Sequence, residues 1–201
     1  MLRLSAALSL LCLALCVTVR PISAQSEIPF GGGDGGDQIG YSRCPSGYAA
    51  IGYAVKSGFH LDSIAAVCGS LKADFSLGPQ TVVAGIAGGP GGDIERVAQC
   101  NRGGVLQGLT GKTGRYVNEI VGLCSTPSEV AANNPTPGTW ETDNRIRFED
   151  GGAPAGNRTC SPGAVITGFK VRYGQWTDFL WLICSPIKQT AGVMEESDYP
   201  R

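Results

Sequence analysis

The 201-residue chain carries 16 basic and 17 acidic side chains, one histidine, thirty glycines and eight cysteines. Without residues 1–24, which hold Arg3 and Arg20 and no acid, fourteen basic and seventeen acidic residues remain, a formal −3. A balance of this kind speaks against nucleic acid as the partner, because no basic surface is available to meet a phosphate backbone.

Residues 1–24 have the make-up of a secretory leader: Arg3, an apolar run from Leu4 to Val19, and small residues ahead of a cut after Ala24. The run is short for a membrane span, and no later stretch reaches that length without charge. The expectation is therefore a secreted, extracellular protein with no membrane span. Its folded domain would cover residues 25–186, with a tail over 187–201. Cys12 and Cys16 leave with the leader, and six cysteines remain, an even number that suits disulfides in an exported chain.

Near the start of the mature part stands "GGGDGGDQIG", Gly31 to Gly40. From Gly32 it fits one turn of a calcium-binding β-roll, but that fold needs the nonapeptide in tandem. The next similar stretch, "GGPGGDIE" from Gly88, is far away and has Glu95 where an apolar residue belongs. A flexible linker is the plainer alternative. It is disfavoured because glycine-rich stretches recur ahead of each unit: "GGGDGGD" before Cys44, "GGPGGD" before Cys100 and a degraded "GGAPAGN" before Cys160.

The cysteines set the period. Cys44 and Cys68, Cys100 and Cys124, and Cys160 and Cys184 are each 24 apart, and three glycine columns fall into register with them: Gly47/Gly103/Gly163, Gly52/Gly108/Gly168 and Gly58/Gly114/Gly174. This is an internal triplication with units of about 31–87, 88–149 and 150–186, the N-terminal loop closing the last. Each unit holds a β-hairpin, as in "YAAIGYAV" and "HLDSIAAVC" around Gly58. Segments 69–87 and 125–149 are expected to supply the remaining strands. Ile64, Ile120 and Leu180 recur as inward residues, with Val67, Leu123 and Ile183 assigned to the same face. The glycine within the first strand marks a bulge or a close backbone approach.

Helix signals are scarce, so the class is all-β. Three similar small sheets bury their apolar faces most simply around a pseudo-threefold axis, which describes a β-prism. The equal spacing predicts one disulfide inside each unit, Cys44–Cys68, Cys100–Cys124 and Cys160–Cys184; the rival pairs Cys68 with Cys100.

After each hairpin glycine comes the candidate site. "GFHLD" carries Gly58, Phe59, His60 and Asp62; "GQWTD" carries Gly174, Gln175, Trp176 and Asp178; the middle unit has "GRYVN", Gly114 to Asn118. A carboxylate accepts hydrogen bonds from adjacent hydroxyls, backbone amides donate, and a ring covers C–H faces, which together suit a sugar. Asp62 and Asp178 are expected to be exposed loop carboxylates, and His60 an exposed ring at the loop rim. With a single histidine and no C-x-x-C pair, no metal and no cofactor is expected. "GLTGKT" from Gly108 lacks the earlier glycine of a phosphate loop, and no nucleophile–base pair stands out, so the chain reads as a non-enzyme.

The combination of "GGxGG" with "SGFHLDSI" resembles the jacalin-related lectins, including their three-site members, over about residues 30–186. The resemblance implies a β-prism I fold of three Greek-key-like antiparallel sheets. It also implies mannose- or galactose-type sugars bound between a G-x-x-x-D loop and a Gly-Gly loop, with glycans or glycoproteins as partners. On that pattern Asp62, Phe59 and His60 work with Gly88 and Gly89, and Asp178, Gln175 and Trp176 with Gly31 and Gly32. The Asn118 unit is expected to be weak, facing "GGAPAG" and crowded by a glycan on the sequon at Asn157. The paired cysteines are unlike the plant lectins and are similar to the outer-layer proteins of the egg vitelline membrane. That leaves a structural extracellular-coat role as the alternative, and a homo-oligomer is open.

Overall fold

The computed structural model describes residues 25–133, 138–148 and 151–192; the leader-like segment lies outside them. In chain order the strands are β1 (Ser26–Gly32), β2 (Gln38–Arg43), β3 (Tyr48–Ser57), β4 (Leu61–Leu71), β5 (Leu77–Val83), β6 (Ala87–Gly88), β7 (Ile94–Gln99), β8 (Val105–Thr113) and β9 (Val117–Ser125). A short helix α1 (Pro127–Ala131) follows. Then come β10 (Trp140–Glu141), β11 (Ile146–Arg147), β12 (Ala153–Pro154), β13 (Arg158–Thr159), β14 (Ala164–Tyr173), β15 (Thr177–Pro186) and helix α2 (Ile187–Thr190).

These strands form three antiparallel sheets, each centred on one long hairpin. The first runs β5-β4-β3-β7 with β6 also on β4. The second runs β10-β9-β8-β12 with β11 on β9 and β13 on β8. The third, β1-β15-β14-β2, joins the two ends of the described chain, Ser26 facing Cys184 and Gly32 facing Phe179. In each sheet the chain leaves the outer side of the hairpin, crosses over its tip and returns on the other side. That crossing is a Greek key, and the crossing segment is the glycine-rich loop.

Segments 69–87 and 125–149 do supply β5, β6, β10 and β11, together with α1. The strands that follow each glycine-rich loop (β2, β7, β12 and β13) and β1 were not foreseen. They are short and mostly lie at sheet edges, where alternation of apolar and polar residues is weak. Gly52, Gly108 and Gly168 each mark a register shift, so each is at a bulge. Each also lies against a neighbouring strand, where a Cβ would collide with the carbonyl of Ala98, Arg158 or Ser42. Both alternatives read from the sequence hold at once.

The sheets enclose one apolar interior. Ile64, Ile120 and Leu180 are fully buried in it, with Tyr53 set edge-on to Phe169 at 6.4 Å between centroids. The Tyr53 hydroxyl donates to the Ile120 carbonyl at 3.1 Å, so its polar end is satisfied inside the core. Burial pushes that phenol well above its ordinary pKa. Val67, Leu123 and Ile183 are buried but do not belong to this interior cluster, which corrects their assignment to one face. They follow Ile64, Ile120 and Leu180 by three residues, and in a strand of period two an odd step reverses the face.

The three predicted disulfides are present, each with its Cα atoms 5.7 Å apart. At the end away from the hairpin tips, Ala49, Val105 and Val165 converge and are closed off by Leu71, by Val130 of α1, and by Ile187 and Ala191. Residues 187–191, expected to begin a C-terminal tail, are thus a plug for the base. Helix α1 is started by a capping box: the Glu129 amide donates to Thr126 Oγ1 (3.3 Å), and the Thr126 amide donates to Glu129 Oε2 (2.9 Å).

Candidate functional site

The three hairpin tips lie together at the other end. In the first, the Gly58 amide donates to Asp62 Oδ2 at 2.8 Å; in the last, the Gly174 amide donates to Asp178 Oδ2 at 3.1 Å. An aspartate side chain that closes its own turn in this way holds the carboxylate in one rotamer. The glycine-rich loop of the same sheet then docks on the aspartate backbone. The Gly89 amide donates to the Asp62 carbonyl (2.8 Å) and the Gly33 amide to the Asp178 carbonyl (2.9 Å). The structure therefore brings Asp62 together with Gly88 and Gly89, and Asp178 with Gly31 and Gly32 across the two ends of the chain.

The loop glycines are required by packing. A Cβ on Gly32, Gly88 or Gly89 would collide with the backbone of Asp178, Asp62 or Gln175, and one on Gly31 with Thr113. These positions are bare so that the loop can pack on the hairpins. The glycines beside the carboxylate oxygens are others. A Cβ on Gly91 or Gly92 would lie 2.5 and 2.9 Å from Asp62 Oδ1 and Oδ2, and Gly35 and Gly36 border Asp178 in the same way. The sequence carried a signal for them: a glycine pair stands eight and nine residues before the first cysteine of every unit, at Gly35–Gly36, Gly91–Gly92 and Gly151–Gly152.

That register also corrects the middle loop. "GGAPAG" is its second half, and the place of Gly33 and Gly89 is taken by Phe148, whose amide donates to the Asn118 carbonyl at 2.8 Å. Asn157 does not crowd this mouth. It lies on the outer face of the second sheet, in a groove shared with Thr110, Lys112, Trp140 and Arg145. In the same groove Glu119, only 1% exposed, is held by Arg145 (2.6 Å) and Arg147 (3.2 Å). Asp62 and Asp178 are not exposed either, at 4% and 8%. The overlying loops cover them.

The aromatic residues are shared between units. His60, Tyr116 and Trp176 stand at one repeat position, and their rings meet on the pseudo-threefold axis, with centroids 4.4 Å (His60–Tyr116), 4.9 Å (His60–Trp176) and 5.5 Å (Tyr116–Trp176) apart. His60 is a member of this cluster and half-buried, not a ring on the rim. Phe59, 87% exposed, takes the outward position with Arg115 and Gln175. Trp176 is therefore no private wall of the Asp178 site. With His60, Gly114, Arg115, Tyr116, Asn118 and Gly152 it lines a cavity of about 460 Å³ over the middle unit. Thr177 ties the tips further, its hydroxyl donating to the Asp62 carbonyl at 3.0 Å.

Among the described residues no three His, Cys, Asp or Glu side chains gather as a metal site, and no helix is long and apolar enough to cross a membrane. No protein-family model and no curated protein matches the sequence. Solved structures do match. Wild-type Malaysian banana lectin aligns with 16% identity over 81% of this chain and 99% of its own, at a TM-score of 0.50. Calystegia sepium agglutinin aligns with 15% identity over 83% and 99%, at 0.53. Artocarpin, solved in complex with methyl-α-mannose, aligns with 16% identity over 81% and 99%, also at 0.53. At these identities the likeness is one of architecture, and the chain has the β-prism fold of the jacalin-related lectins.

Proposed function

We propose that the protein binds carbohydrate at its hairpin tips, through Asp178 with Gly174, Gln175 and the 31–36 loop, and through Asp62 with Gly58, Phe59 and the 88–92 loop. One observation carries the reading. The same constellation, a carboxylate fixed by its own turn amide beneath a glycine-rich loop, is built twice from segments distant in sequence. Carboxylates held this way present preset acceptors to adjacent hydroxyls, so little ordering is needed on binding. Artocarpin was solved with methyl-α-mannose and the Ananas comosus protein of this fold is described as mannose-binding, which supports mannose-type hexoses as ligands; galactose-type sugars are the alternative within the same proposal. The role is non-enzymatic, with free glycans or glycoproteins as partners. Export through residues 1–24 belongs to the same proposal, since three disulfides persist in an oxidising compartment.

The near-burial of both carboxylates favours a second reading, a coat or matrix protein in which they only close turns. Calorimetric titration with methyl mannoside and methyl galactoside separates the two. Binding by the native protein that is lost in a folded Asp62→Asn, Asp178→Asn variant supports the lectin. Absence of any binding, or binding that survives in the double variant, removes these loops from the proposal.

A further inference from the structure

Ile51, Gln107 and Thr167 stand at one repeat position, each the residue passed over at the bulge of its first hairpin strand. Each is paired with the residue just after the second cysteine of its unit: Gly69, Ser125 or Ser185. In the first unit the pair is apolar and Leu77 of β5 lies against it. In the second, Ser125 donates to Gln107 Oε1 at 2.7 Å. The backbone amide of Gly138, just ahead of β10, then donates to both Ser125 Oγ (3.0 Å) and Gln107 Oε1 (3.3 Å). In the third, the Thr167 and Ser185 hydroxyls share a bond at 2.9 Å, and the covering residue is Gln25, just ahead of β1. Its side-chain amide donates to Ser185 Oγ (3.4 Å) and Thr167 Oγ1 (3.5 Å).

Strands β10 and β1 arrive in the same register, Trp140 facing Cys124 and Ser26 facing Cys184. What differs is the chain behind them. β10 is preceded by more of its own unit, whereas the residue ahead of Gln25 is Ala24, the last of the leader-like segment. A cut there makes Gln25 the first residue and frees its α-amine, which titrates at about 8 and is in part uncharged near neutral pH. The adjoining cleft of about 350 Å³ is lined by Tyr48, Thr167, Ser185 and Gln189 among others, and none of its lining residues is acidic. It therefore offers no carboxylate to an α-ammonium.

We infer that Gln25 is a modification site: once freed by the leader cut it closes to pyroglutamate, which seats on Thr167 and Ser185. The α-amine nitrogen attacks Cδ of its own side chain, the new N–Cδ bond closes a five-membered lactam, and the Cδ–Nε2 bond breaks. Nε2 leaves as ammonia with the proton that the α-amine gives up, and nothing is oxidised or reduced. The product is uncharged and keeps one N–H and one carbonyl. It offers the hydroxyl pair what the Gly138 amide offers Gln107 and Ser125 in the second unit. The closed end presents no free amine to an aminopeptidase, so β1, an outer strand of the third sheet, is protected from trimming. The inference rests on the export reading and on nothing at the hairpin tips.

The test is mass spectrometry of the protein secreted by cells that express the full chain, read intact and on the N-terminal tryptic peptide, which ends at Arg43. The expected peptide begins at position 25 and is lighter than its sequence mass by one ammonia. Pyroglutamyl aminopeptidase is expected to release that residue about tenfold more slowly from the folded than from the unfolded, reduced protein, the worth of one or two hydrogen bonds. Thr167→Val with Ser185→Ala should cyclise as before and lose most of that protection, while Gln25→Ala should leave a free amine. A peptide that begins at Gln25 with its side-chain amide intact overturns the cyclisation and leaves the export reading standing. A chain that starts elsewhere overturns the leader cut and the modification with it. Equal release from folded and unfolded protein, or protection that survives in the Thr167→Val, Ser185→Ala variant, overturns the seat.

Discussion

The two ends of the prism are built from the same repeat positions but use them differently. At the base the equivalent residues are Ala49, Val105 and Val165, all small, apolar and fully buried, and the plug of Val130, Ile187 and Ala191 lies against them. At the tips the equivalent residues are Phe59, Arg115 and Gln175, then His60, Tyr116 and Trp176, then Asp62, Asn118 and Asp178. Close packing around an axis tolerates little change in volume or polarity, so the base keeps one solution three times. The tips differ, and the differences include asparagine at Asn118 where the other two units carry aspartate. Packing constrains one end and chemistry differentiates the other.

The largest expected effect tests the base. Ile187→Ala should cost about 2–5 kcal/mol by opening a cavity between α2 and the three strand starts. Urea denaturation measures it, and a loss below about 1 kcal/mol would mean that the helices are a detachable lid. Next comes the staple of the hairpin that joins the two chain ends. Replacing Cys160 and Cys184 together by serine should cost about 3 kcal/mol, the chain-entropy worth of a loop of this length. Matched melts of the other two double variants would show whether the three staples are equivalent.

At the tips, Asp178→Asn keeps shape and the turn contact but removes charge. Its stability cost should stay near 1 kcal/mol, while hexose affinity falls about tenfold or more with the loss of a charge-assisted bond. Calorimetry beside a melting curve reads both quantities, and a variant that loses stability but not affinity would turn the carboxylate back into a turn residue.

A smaller effect concerns pH at the base. The Thr126 hydroxyl, then the Thr126 amide, hold the Glu129 carboxyl below its ordinary 4.5. A depressed carboxylate contributes stability above the unfolded value and loses it as pH falls through the folded one. Amide exchange in residues 127–131 should therefore speed up below about pH 4.5 relative to the tips, and Glu129→Gln should flatten that difference. Smallest of all, Phe59→Ala should change stability by no more than about 0.5 kcal/mol, because the ring touches little. A larger loss in thermal melts would show that the outward tip position carries packing after all.

Much of the tertiary plan was legible as local periodicity. Cysteine spacing predicted each disulfide, because a repeated unit most simply carries its own staple and a bridge needs only two sites a few ångströms apart. The hairpins were readable from β-rich runs around Gly58, Gly114 and Gly174. The middle loop was misread because "GGAPAGN" was matched by its glycines and not by distance from Cys160. The assignment of Val67, Leu123 and Ile183 failed on parity alone, and Ile187–Thr190 was passed over because a four-residue helix leaves no periodic trace.

By itself, then, the sequence determined the triplication and the three staples, both repeats of one local pattern, visible by comparing the chain with itself. The pairing of each acidic tip with a glycine-rich loop came only from the resemblance to the jacalin-related lectins. Only the tertiary structure decided that His60, Tyr116 and Trp176 share one cluster, that Gly31, Gly32, Gly88 and Gly89 are bare for packing, and that the three rings line one cavity with Asn118. The physical reason is that these are contacts between units. Rings some sixty residues apart meet because three sheets close around an axis.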